Sequence, residues 1–116
     1  MATRTYSSQR LGDNIEAILI VWQGLLNGDD GAPYQLLGRG DRSVQFIGTF
    51  GTGGSIQLEG SNDGTNYSVL SDPSSTTIVK TATAIEQVLE LTRYVRPRVT
   101  AGDGTTALEC WMLFTR

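Results

Sequence analysis

Twelve carboxylates, nine basic side chains and one thiol are the groups through which this chain of 116 residues could do chemistry, and it has no histidine. That removes the commonest general base, the commonest metal ligand and any Ser-His or Cys-His nucleophile pair. Cys110 shares a predicted strand face with Leu108, Met112 and Phe114, which makes it a buried structural thiol rather than a reactive one. Two carboxylates could serve glycoside hydrolysis. However, Asp29, Asp30, Asp63, Asp72 and Asp103 lie in turns, where hydrogen bonds to the backbone account for them. Glu86 and Glu90 read as solubilising groups on one outward face. The Asn27-Gly28-Asp29-Asp30-Gly31 run lacks the distal glutamate of a calcium loop, and Gly51-Thr52-Gly53-Gly54 lacks the Gly-Lys-Ser/Thr end of a phosphate loop. The residues therefore predict no catalytic site, no metal and no cofactor.

Binding groups are more evident. Arg93, Arg96 and Arg98 lie on one predicted strand with Tyr94; if Val95 and Val99 point inward, Arg96 and Arg98 project together outward. Such a row is either a solvated strand face or a dock for carboxylates, which suit guanidinium forks. Arg39-Gly40-Asp41 matches the tripeptide that integrins recognise, but three-residue matches arise often by chance and the strand that follows gives a structural reason for the Gly. Nine basic against twelve acidic residues, a net charge of −3, disfavour a nucleic-acid partner. The longest apolar run, Ala17 to Trp22, is too short to cross a membrane as a helix and fits a buried strand. Residues 1–9 carry no apolar core of a secretory signal, and a single cysteine forms no intrachain disulfide. Synthesis in a reducing cytoplasm is expected.

The elements that position these groups are strands. With 39% hydrophobic and 18% charged residues the chain is too apolar for a disordered tail, and one domain is expected. Residues 1–13 read as a polar N-terminal arm or ordered lead-in, and 14–116 as the β domain. Turn-forming clusters such as Gly60-Ser61-Asn62-Asp63-Gly64-Thr65-Asn66 recur every eight to twelve residues, as in a sandwich or barrel. Residues 84–91 fit both a helix and a strand, and their strand neighbours favour the strand. Ile15 to Gln23 is apolar on both faces, with Ile18, Ile20 and Trp22 opposite Ala17, Leu19 and Val21. Trp111 and Leu113 likewise oppose a face already sufficient for a core. This surplus predicts a subunit interface, with Trp22, Trp111 and Leu113 as its candidates.

Two resemblances follow. Gly60 to Tyr67 followed by Arg93-Tyr94-Val95-Arg96 resembles discoidin (coagulation factor 5/8 C-type) domains, with Tyr67 where those usually carry Trp. More of the chain is similar to small tailed-phage virion proteins of the capsid cement or decoration type. The ordered set is Trp22-Gln23-Gly24-Leu25, Gly28 to Pro33, Gly40 to Gln45, Gly48 to Gly51, Gly60 to Tyr67, Arg93 to Pro97 and Gly102 to Thr106. The resemblance implies a single antiparallel β-sandwich of jelly-roll type with about eight strands. It also implies a structural protein on the outside of a phage head that bridges major capsid subunits and binds no membrane or nucleic acid. Clustered copies, as a homodimer or trimer, would stabilise the shell. Arg4, Tyr6, Arg10, Arg96 and Arg98 would then dock on the capsid, and replacing Arg96 and Arg98 with Glu would abolish docking without unfolding the protein. The alternatives are a virion-borne carbohydrate-binding module, contacting glycan through Asn62, Asp63, Asn66 and Tyr67, or a sandwich of the tail or fibres.

Overall fold

Alternating apolar and polar residues between glycine-rich turns leave the chain one economical solution, two sheets closed over their apolar faces. The computed structural model describes residues 2–11, 17–35 and 40–115. Its strands are β1 (Thr3–Arg4), β2 (Tyr6–Leu11), β3 (Ala17–Leu26), β4 (Asp30–Gly31), β5 (Tyr34–Gln35) and β6 (Asp41–Thr49). They continue with β7 (Ser55–Ser61), β8 (Ser68–Val69), β9 (Val79–Lys80), β10 (Ala84–Gln87), β11 (Tyr94–Ala101) and β12 (Ala107–Thr115). One sheet runs β10-β6-β12-β3-β2; the other runs β1-β4-β11-β7-β8, with β5 also on β11 and β9 also on β7. All pairings are antiparallel except β1 with β4. The protein is an all-β sandwich of jelly-roll type. Among the described residues seven strands have four or more residues and five are two-residue pairings.

Ile20, Trp22 and Leu25 of β3, Val44 and Phe46 of β6, and Leu108, Cys110, Met112 and Phe114 of β12 face Ile56, Leu58, Val95 and Val99 across the interior. Trp22 is fully buried, and its indole N–H donates to the Ala32 carbonyl at 3.0 Å. Tyr6 meets it edge-on at 5.8 Å, Tyr34 meets Tyr6 at 5.2 Å, and Phe114 meets Tyr34 at 5.6 Å. Two glycines make this packing possible. Gly24, at φ +69°, lets β3 carry one extra residue, so that Leu108 and Cys110 pair with Leu25 and Trp22. Gly31 lies where a Cβ would come within 2.6 Å of both the Pro97 ring and the Trp22 indole.

Of the expected N-terminal arm, residues 3–4 pair with β4 and residues 6–11 with β3; residues 12 and 13 lie outside the described residues, as does Arg39 of the Arg-Gly-Asp tripeptide. Residues 84–91 begin as the edge strand β10, after which Val88 turns into the core.

Candidate functional site

The two sheets present opposite kinds of outer face. On the β11–β7 face, strand alternation turns Tyr94, Arg96 and Arg98 outward beside Gln57, Glu59 and Ser61. Register places Arg96 directly opposite Glu59 and Arg98 opposite both Gln57 and Asp30. Arg96 Nε donates to Glu59 Oε1 at 3.0 Å, while Arg96 Nη1 lies 3.7 Å from Asp30 Oδ2 and Arg98 Nη1 3.7 Å from Glu59 Oε2. Gln57 donates to Glu59 at 2.6 Å and Thr3 to Asp30 at 2.7 Å. The Arg96 guanidinium is also 3.8 Å from the centre of the Tyr67 ring. Glu59 is only 5% exposed. A carboxylate on the outside of a sheet is thus covered by its own partners, and the charge of the arginines is neutralised within the chain.

The remaining proposed docking residues are also placed by internal contacts, apart from Arg10. Arg4 Nε donates to Asp29 at 2.8 Å, and the same carboxylate accepts the backbone N–H groups of Ala2 and Leu26, each at 2.9 Å. Burial by itself would raise the Asp29 carboxyl, but the hydrogen bonds from Leu26, Arg4 and Ala2 outweigh it and hold the group below its ordinary value. Tyr6 packs in the aromatic row against Trp22. Arg10 is exposed on the edge strand β2. The five proposed groups do not form one surface.

The 60–67 turn is likewise explained from within. Asp63 accepts the N–H groups of Thr65 and Asn66, the Asn66 amide and the Ser61 hydroxyl, at 2.8 to 2.9 Å. The Asn66 and Thr65 N–H groups lead in holding its carboxyl far below the usual carboxylate range. Asn62 accepts the Arg93 N–H at 2.9 Å. At Asp103 the Thr105 hydroxyl, then the Thr52 and Thr105 N–H groups, do the same for the Gly102–Thr106 turn. Glu86 pairs with Lys80 at 2.7 Å, and Glu90 accepts the Ser71 N–H at 2.7 Å. Both therefore have partners within the chain. Among the described residues no group of three or more His, Cys, Asp or Glu side chains could hold a metal ion.

The outer face of the five-stranded sheet is different. Its central cross-strand row reads Ile85, Gln45, Trp111, Val21, Ser7, and the next reads Gln87, Ser43, Leu113, Leu19, Gln9. Among the described residues there are only two sheets, and the other one covers the inner side. Val21 in the middle of this face is buried, at 8% exposure, and Ile85 at the rim is 64% exposed. The charged side chains in register on this face are Glu109, at the Ile47 end, and Asp41, at the Thr115 end. Glu109 accepts the Trp111 indole N–H at 2.9 Å. A depression of about 270 Å³ opens over Ser43 and toward the Thr115 end of the face, lined by Asp41, Arg42, Ser43, Gln87, Leu113 and Thr115 and not by Trp111. Trp111 and Leu113 are therefore on the surface where an interface was expected. Trp22 is not: it points the other way and is sealed in the core, so it is removed from the interface candidates.

No family model matches the chain, and no curated protein matches it. Among solved structures it is similar to a cupin domain from Bordetella pertussis Tohama I, at 16% identity over 100% of this chain and 98% of that one, with a TM-score of 0.44. It is also similar to Fe(II)-HppE solved with the alternative substrate (S)-1-HPP, at 9% identity and a TM-score of 0.45, covering 94% of this chain and 55% of that one. Neither structure is described as a capsid or glycan-binding virion protein, and the capsid-cement expectation with its virion alternatives is withdrawn. Arg4, Arg96 and Arg98 face carboxylates of their own chain.

Proposed function

We propose that this chain is a non-catalytic assembly module that works by closing the outer face of its five-stranded sheet against a second protein surface in a homo-oligomer. The observation that carries this is the charge-poor apolar row through Trp111, Leu113, Val21 and Leu19 on a sheet face without a second layer among the described residues. Size supports it. The five strands, of four to ten residues at about 3.4 Å each and about 4.8 Å apart, give a face of roughly 600 Å². That is close to the ~800 Å² per partner of a standard interface, whose centre is also depleted of charge. The polar clusters elsewhere are taken up by turns and internal ion pairs.

Sedimentation velocity from about 1 to 100 µM spans the affinities expected of such an interface. The wild-type chain is expected to sediment at a multiple of its 12.5 kDa mass, and Leu113→Glu to sediment as a monomer with an unchanged thermal transition. A wild-type monomer throughout that range would refute the reading.

A further inference from the structure

We infer that the oligomer is a two-fold dimer whose register is set by Trp111 of each copy entering the depression over Ser43 of the other. This rests on the assembly reading and adds to it the occupant and the alignment.

In an isologous face-to-face dimer the axis lies in the interface, so any residue meets the one across the axis and is met by it in return. A knob and a hole on the same face are self-complementary if the axis bisects the line between them. Trp111 pairs with Gln45, and Ser43 pairs with Leu113 one side-chain row further along. Trp111 and Ser43 are thus diagonal neighbours, roughly 8 Å apart for strands about 4.8 Å apart and rows about 6.8 Å apart. The bulkiest side chain of this face lies beside one of its smallest, and the depression of about 270 Å³ opens where the small one lies.

The chemistry of the knob fits burial. An indole N–H that loses water without a partner is costly, and that of Trp111 already donates to Glu109 of its own chain at 2.9 Å. The ring can therefore be covered with its polar edge satisfied. An axis between Trp111 and Ser43 also carries Glu109 toward Gln87 of the second copy, an amide that can donate to it.

A swap of knob and hole tests the register. Trp111→Ala removes the knob, and Ser43→Phe fills the hole. Each is expected to weaken dimerisation at least about tenfold, the effect of losing one central anchor. In the double variant the aromatic ring introduced at position 43 of one copy would meet the space left at position 111 of the other. Affinity should then return to within about threefold of wild type. Thermal melts of all three variants monitor folding, and both positions are on the sheet surface. A dimer in which the two losses simply add, without rescue, would overturn the register and leave the assembly reading standing. A monomeric wild-type chain would overturn both.

Discussion

Replacing Arg96 with Glu should remove much of this protein's margin of stability, contrary to the expectation that an outward arginine row can be reversed freely. Arg96 is 21% and Glu59 5% exposed, and they meet at 3.0 Å. Removing one partner of a pair this buried costs about 3–5 kcal/mol, here toward the lower end because Glu59 keeps the Gln57 amide and the more distant Arg98. The lost stacking of Arg96 on Tyr67 adds about 0.5–1 kcal/mol. A new carboxylate about 4.5 Å from Glu59 would add up to about 4 kcal/mol at an effective dielectric near 20, less whatever rotation into solvent relieves. A loss of at least about 4 kcal/mol is expected, against a total stability of roughly 6–17 kcal/mol for a chain of 116 residues. Urea titration at neutral pH measures it directly, and the melting temperature should fall by about 15 °C or more. Arg98 is 49% exposed and 3.7 Å from its partner, so Arg98→Glu should cost only about 1 kcal/mol. Arg10→Glu, on the exposed edge of β2, should change stability by less than about 0.5 kcal/mol. An Arg96→Glu loss below about 1 kcal/mol, or one equal to that of Arg10→Glu, would refute the closed ion network.

Asp29 and Cys110 give two further expectations. Asp29→Ala should destabilise the fold by about 2–4 kcal/mol at pH 7, mainly through the orphaned N–H groups of Leu26 and Ala2, the Arg4 pair adding little at 37% exposure. Because the folded-state value of this carboxyl is lowered, its stabilisation is present above the unfolded value of about 3.9 and disappears as pH falls through the folded one. The wild-type and Asp29→Ala denaturation curves should therefore converge in acid, and a gap that stays constant from pH 7 to pH 2 would contradict the assignment. Burial pushes the Cys110 thiol well above its ordinary value. Labelling by a thiol reagent should accordingly track global unfolding in urea, and rapid labelling of the folded chain would show that the interior opens locally.

Side-chain parity was readable within a strand and failed between strands. In β12 the alternation separates Leu108, Cys110, Met112 and Phe114 from Trp111 and Leu113, and the fold keeps that division. In β3 both faces are apolar, so parity could not say which one faces the core. The decision belongs to distant groups: the Ala32 carbonyl that takes the Trp22 N–H, the Tyr6 ring beside it, and Gly31, whose missing side chain makes room. The arginines show the same division. Their outward direction follows from local alternation, but their neutralisation depends on cross-strand register with Glu59 and Asp30, residues 37 and 66 positions away from Arg96 along the chain. Only Trp111 and Leu113 could be identified locally as surplus. Their significance comes from β12 lying beside β3, which merges two unexplained apolar strips into one surface. A single strip of that kind is ordinary on a protein surface, whereas two in adjacent strands form a patch of the size that partners cover. The pairing of β12 with β3 is therefore the step that turns an unusual composition into a case for assembly.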